Sequence, residues 1–365
     1  MSIGLGMFNQ LICNEKPMLL KQDNNWYFPA LIEFFGDLGI SINDSSQNLD
    51  FSEPEFVMNP PIPYSFDFID RRNGSLNPPG SKGVKGMHLL GTDKLGRDVF
   101  AGLLRGFYIA LKIGFISVFL TGIIGLIVGL GMGYFQDNRI KINIIQMVIG
   151  LLGFISLLFF IIYQYSVSQK IISSIVIGVI TFLAIRLSHK ITLPRFSFPI
   201  DFISLKVIEI IKSIPTLVIL LAILPLFQTR SVTNIIIVFV LLGWKSFARY
   251  TRAETMAIKN EAFVLNARSQ GQTDWAILIK QILPNVLPTL LVIASFSLAS
   301  VIILESTLSF LGIGLPIEEV SWGSLMSQGR SHVSSWWLSL IPGFCIFIVI
   351  LSLNQLVDRT LELDE

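Results

Sequence analysis

Long runs of apolar residues begin at about residue 108 and recur to residue 357, whereas the first hundred or so residues contain none. The runs fall at about 108–135, 142–164, 171–187, 203–227, 232–248, 286–310 and 337–357. Most approach the roughly 20 residues that an α-helix needs to cross a bilayer. This pattern predicts an all-α integral membrane protein, a polytopic helical bundle of about seven spans. The run at 171–187 is the shortest and needs a thinned bilayer or cover from neighbours. The run at 203–227 holds Lys206, Glu209 and Lys212 in its first half, which is expected to project into the cytoplasm as helix. Residues 1–107 read as an extramembrane segment, with turn clusters at Asn59-Pro60-Pro61 and Asn77-Pro78-Pro79-Gly80. Residues 108–357 then form the membrane domain, and 358–365 a tail.

The largest polar interruption, Lys245 to Asn285, sets the topology. It carries Lys245, Arg249, Arg252, Lys259, Arg268 and Lys280 against Glu254, Glu261 and Asp274, a surplus that places it on the cytoplasmic side. Counting outward puts 188–202 (Lys190, Arg195) and 136–141 (Arg139, Lys141) inside as well, so each inner loop is basic. The N-terminal segment is then outside and the C-terminus, from Asp358, inside. MSIGLGMFNQLICNEKP has no charged region followed by an apolar stretch and is no signal peptide. A large segment seldom crosses unaided, so a first span preceding this sequence is expected.

Composition agrees with a membrane protein: 52% of the 365 residues are hydrophobic and 14% charged. A net charge of +2, with the basic residues held in loops, argues against a nucleic-acid partner. Cys13 and Cys345 give neither a metal-ligand spacing nor a disulfide framework. Gly125, Gly129 and Gly133 recur every fourth residue in the first run, which predicts close approach of a second helix. Pro215, Pro225, Pro288 and Pro342 lie in or beside runs and predict bends. No G-x-x-x-x-G-K-[ST] occurs, so the chain lacks that means of cradling nucleotide phosphates.

Within the basic loop, Phe263 to Gly271 reads as a helix ending at a glycine in a left-handed conformation, and Asp274-Trp275 begin a second helix capped by Thr273 or Asp274. Two short helices joined at a glycine make a knob. Glu305, near the outer end of the sixth run, is an ionisable group at membrane depth. Either it lines a translocation path or it is held by hydrogen bonds in the Ser306, Thr307, Ser309 region. Asp93 is expected to cap a helix and pair with Arg97 rather than join Asp98 at a metal. His88, His189 and His332 stand apart in sequence and carry no ligand reading. Trp336-Trp337 fit an interfacial aromatic belt.

The basic loop resembles the ATPase-coupling loop of ABC-importer permeases at Ala267, Gly271 and Leu283-Pro284-Asn285. His88-Leu89-Leu90-Gly91-Thr92-Asp93-Lys94-Leu95-Gly96-Arg97-Asp98-Val99-Phe100 resembles the opening block of the second permease subunit of dipeptide and oligopeptide importers. So do Leu308-Ser309-Phe310-Leu311-Gly312-Ile313-Gly314 and Ser321-Trp322-Gly323 through Gly329-Arg330. Asn14-Glu15-Lys16-Pro17-Met18 and Trp26-Tyr27-Phe28-Pro29 are similar to the microcin C branch of peptide importers, in which such a segment lies just outside a first membrane helix. Two departures stand out. Leu265-Asn266-Ala267 replaces the usual Glu-Ala-Ala, removing an acidic contact, and an apolar hairpin is inserted at about 138–200.

The resemblance implies the type I ABC-importer transmembrane fold and a multi-pass permease of the bacterial inner membrane that is not itself an enzyme. Its implied partners are a second permease subunit, two ABC ATPase subunits, an external substrate-binding protein, a peptide substrate and membrane lipid. The chain would bind no cofactor, and ATP and Mg would reside on the ATPase subunits. Coupling would run through Phe263, Leu265, Asn266, Ala267, Gly271, Asp274, Trp275 and Pro284, with Glu305 a possible lining of the path. The competing readings are an ATP-independent secondary transporter or channel, an importer of nickel or another non-peptide solute, and an intramembrane enzyme.

Overall fold

The computed structural model describes residues 12–22, 25–32, 56–72, 74–137, 167–188, 195–197, 199–227 and 229–362, with short pieces between 141 and 156. The chain forms two compact units. One comprises Met1–Gly125, Ile214–Phe247 and Leu287–Glu365, the other Leu126–Ser213 and Ala248–Val286.

The N-terminal segment holds short strands that no apolar run announced. β1 (Leu19–Gln22) pairs antiparallel with both β2 (Asn25–Tyr27) and β3 (Phe56–Met58). β4 (Ser81–Lys82) pairs with β5 (Met87–His88). Cys13, Ile62 and Tyr64 are buried against Ala101, with Phe66, Phe68, Phe100 and Leu104 around them.

The first long helix, α1 (Val99–Phe135), is 37 residues long and starts nine residues before the expected 108. Its cap is Asp98, whose Oδ1 accepts from the Ala101 amide at 2.9 Å. Asp93 instead closes the preceding loop, accepting from the Leu95 and Arg97 amides and pairing with the Arg97 guanidinium at 2.8 Å. The expected pair is present, and the expected helix cap at Asp93 is not.

A two-stranded ladder of β6 (Lys141–Asn143) and β7 (Arg195–Ser197) lies in the second unit with α2 (Val167–Ser188). Then come α3 (Ile200–Ser213), α4 (Thr216–Ile223) with a 3₁₀ turn at Leu224–Leu226, and α5 (Val232–Ile258). The chain continues through α6 (Ala262–Ser269), α7 (Asp274–Ile277), a π-helical turn at Leu278–Ile282, α8 (Leu283–Phe310), α9 (Trp322–Ser331) and α10 (Trp337–Glu362).

Among the described residues, four stretches are long and apolar enough to cross a membrane: Val99–Phe135, Val232–Ile258, Asp274–Phe310 and Trp337–Gln355. A fifth exists if α3 and α4–Leu226, bent by 80°, count as one span. About seven spans were expected, and the described residues do not confirm that count. The 142–164 run lies largely outside the described residues, and the apolar part of α2, Ser173–Ala184, is too short. The 203–227 run is two helices because Pro215 disfavours helical backbone at Ile214. The half carrying Lys206, Glu209 and Lys212 is therefore a helix of its own.

In the first unit, Val99, Leu103, Ala110 and Leu111 of α1 share a core with Leu298 and Ile302 of α8, Trp322 and Leu325 of α9, and Trp337 and Leu338 of α10. Trp337 is buried and its indole N–H donates to the Thr92 carbonyl at 3.4 Å. Only Trp336 of the expected aromatic pair is exposed.

Candidate coupling loop

The polar interruption between α5 and α8 is built in four steps. Glu261 turns the chain with extended backbone (φ −65°, ψ 151°). The two turns of α6 then bury Val264 and Ala267, spaced three apart on one face. Phe263, Leu265 and Asn266 face outward. Gly271 ends the helix at φ +78°, a conformation that a side chain resists, and no atom lies within 4 Å of where its Cβ would be. The Gln272 amide reaches back to the Ala267 carbonyl at 3.2 Å, as in glycine-terminated helix ends.

Thr273 then starts α7, its hydroxyl accepting from the Ala276 amide at 3.3 Å. Of the two caps left open by the sequence, Thr273 is the one used. Asp274 instead accepts from the phenol of Tyr134 at 2.5 Å. Trp275 is 70% exposed and Ile279 also faces outward. The π turn at Leu278–Ile282 precedes Pro284. Proline clashes with the carbonyl four residues back, here that of Lys280, and a widened turn relieves it.

Two features follow. The knob presents Phe263, Leu265, Trp275 and Ile279 as exposed apolar side chains. The outward face of α6 carries no carboxylate, because Leu265-Asn266 stand there. The candidate residues thus divide: Ala267 is buried support, Gly271 shapes the turn, Asp274 bonds inward, and Phe263, Leu265 and Trp275 form the exposed surface.

Glu305 lies apart from this loop. It is 1% exposed, and accepts from the Ser309 hydroxyl at 2.7 Å and the Ser306 hydroxyl at 3.5 Å. These are two of the three hydroxyls of the hydrogen-bonded alternative. Thr307 donates to the Ile303 carbonyl instead.

His88 is isolated only in sequence. Nδ1 lies 2.8 Å from Asp98 and Nε2 3.2 Å from Asp70, with the Tyr64 ring stacked at 4.2 Å. Burial favours the neutral ring, but the Asp98 and Asp70 carboxylates outweigh it and hold the imidazole above its ordinary pKa. Burial also opposes ionisation of Asp70, yet hydrogen bonds from the Arg72 and Val84 amides and from His88 hold its pKa down. Among the described residues no group of three or more His, Cys, Asp or Glu is placed to bind a metal.

Residues 191–362, which contain the whole loop, match the family model described as the binding-protein-dependent transport system inner membrane component. Over these residues the chain is similar to that family. Curated relatives agree. It is 24% identical to the inner membrane ABC transporter permease protein YejE of Escherichia coli K12, over 96% of this chain and 85% of the relative. The glutathione transport system permease protein GsiD of Pectobacterium atrosepticum is 26% identical over 76% of this chain and 72% of its own length. The oligopeptide transport system permease protein OppC of Mycobacterium tuberculosis H37Rv is 26% identical over 83% and 82%.

The chain is thus a multi-pass inner-membrane permease subunit. The permease also holds residues around its loop that sequence reasoning missed. Tyr134 lies 140 residues from Asp274 and is buried at the end of α1. Lys259 donates to the Gly133 carbonyl at 3.3 Å. The one available signal was the position of Tyr134, a hydroxyl-bearing ring directly after the last glycine of the Gly129, Gly133 series.

Proposed function

We propose that this permease forms the translocation path of an ATP-driven importer of peptides and docks its ATPase subunits through the α6–α7 knob. The observation that carries the docking reading is the exposure of Phe263 and Leu265 on α6, Trp275 on α7 and Ile279 in the π turn, on either side of Gly271. Four large apolar side chains exposed around a tight turn suit a protein cleft better than water. With no carboxylate at Leu265-Asn266, the contact is apolar and shape-based. Two of these relatives are named for the transport of glutathione and oligopeptides, which favours a peptide cargo over nickel and over an ATP-independent carrier.

The knob is cytoplasmic on the basic-loop rule, with the N-terminal segment outside and the C-terminus inside. A second permease subunit and an external binding protein complete the assembly, and ATP and Mg stay on the ATPase subunits. Transport proceeds by alternating access, in which the knob contacts the open and closed ATPases differently.

The test is uptake of a labelled oligopeptide by proteoliposomes holding the complete assembly. Uptake is expected to require ATP and both ATPase subunits. Accumulation driven by a proton gradient with the ATPases omitted overturns the proposal.

A further inference from the structure

Asp274 is the one carboxylate at the start of α7, an exposed residue whose Oδ1 is nonetheless bonded to the protein. It receives the Tyr134 hydroxyl at 2.5 Å across 140 residues of sequence. Tyr134 is 2% exposed and sits one residue from the end of α1. The Arg268 guanidinium lies 5.9 Å from the centre of the same ring, so α6 and α7 both meet Tyr134. Asp274 is fixed in turn by its place next to the Thr273 cap.

Two further contacts hold the same end of α1. Lys259, just past α5, donates to the Gly133 carbonyl at 3.3 Å. A Cβ on Gly133 would stand 2.6 Å from the Thr255 Cβ and 2.9 Å from the Arg252 carbonyl oxygen, so α1 and α5 touch backbone to backbone. All of these residues belong to one compact unit.

From this geometry we infer that Tyr134 is a positioning residue: with Asp274 it latches the knob to the inner end of α1, so that the two move as one body. The inference rests on the docking reading for its purpose, but the latch itself does not. A displacement of the knob is then delivered to the part of α1 that lies in the same unit, from Leu126 to Phe135. Without the latch, the linkers at 259–261 and 270–273 absorb that displacement, as short non-helical hinges do.

The test places spin labels at Ile127 on α1 and Ile279 beside α7, both exposed positions. Their distance distribution is measured in the full chain, alone and in complex with the ATPases, nucleotide-free and ATP-trapped. The wild type is expected to give one narrow distance that ATP leaves unchanged. Tyr134→Phe, which keeps the ring and removes the hydroxyl, is expected to broaden it and to raise the unlatched population about tenfold, the order of one hydrogen bond to a charged acceptor. Asp274→Asn keeps an acceptor and is expected to fall between.

A Tyr134→Phe distribution identical to wild type in the chain alone overturns the latch, as does a wild-type distance that shifts when ATP is trapped. Co-purification of the ATPases is scored separately. Its failure in the wild type strikes the docking reading, while the distances in the isolated chain still decide the latch.

Discussion

A Cβ built on Gly129 of α1 would stand 2.5 Å from the Cβ of Thr251 on α5, with the Ala248 carbonyl oxygen 2.6 Å away. The two helices are therefore as close as backbones allow, and Gly133 repeats the contact one turn on, against Thr255. Gly131, between them, faces open space. Gly129→Ala is expected to force the helices apart and lower stability by about 1–3 kcal/mol, with Gly129→Val worse and Gly131→Ala neutral. Thermal unfolding in detergent reads all three, and equal midpoints for the two alanine variants would falsify the seam.

Arg252 of α5 grips Asp201 of α3 with both arms, at 2.5 and 2.6 Å. The guanidinium side chain keeps 24% exposure and the carboxylate 10%, so solvent screens the pair in part. Asp201→Asn is expected to cost roughly 1–3 kcal/mol, the range for hydrogen bonds to a charged group. A double-mutant cycle with Arg252→Gln should recover most of that loss as coupling energy, and a coupling near zero contradicts the assignment.

The segment that precedes α1 should loosen at alkaline pH. A histidine whose pKa is raised by folding stabilises fully below its unfolded value, about 6.5, and loses that contribution as pH climbs through the folded value. Here the imidazole has a carboxylate at each nitrogen, so deprotonation breaks one hydrogen bond. Asp70, with its pKa lowered, works in the opposite direction, losing its contribution as the medium is acidified below about 3.8. Proteolysis of residues 56–98 is expected to speed up above neutral pH in the wild type, with the step absent in His88→Gln. An unchanged step in that variant assigns it to another group.

Glu305 separates shape from charge. Its carboxylate accepts from Ser309 and Ser306 within a buried site. Glu305→Gln retains an acceptor and is expected to fold and transport at near wild-type rates, whereas Glu305→Ala leaves the hydroxyls without it and costs about 1–3 kcal/mol. A Gln variant that folds normally but loses transport points instead to a carboxylate working in the path.

Local signals in the sequence carried far along this chain. The runs at 232–248 and 286–310 became α5 and α8, and Gly271 with Thr273 marked where the knob turns, because turn chemistry acts over a few residues. The early start of α1 was hidden. Gly102, Arg105 and Gly106 interrupt the apolar run, yet a Cβ at Gly102 would meet Val320 at 3.1 Å and one at Gly106 would meet Trp322 at 2.8 Å, partners more than 200 residues away. The short strands of the N-terminal segment offered too few residues for any alternation to register. His88 looked solitary for the same reason as Tyr134: its partners are fixed by the fold, not by spacing.

The central claim, that the permease is gripped through an apolar knob, is tested most directly by co-purification of the ATPase subunits with Leu265→Asp and Trp275→Asp. Both side chains are exposed, 47% and 70%, so neither change should disturb insertion or folding. The account predicts that each variant remains monodisperse in detergent and retains the ATPases at least about tenfold less than wild type, a loss of about 1.4 kcal/mol. Full retention of the ATPases by both variants, together with undiminished ATP-driven uptake, contradicts it.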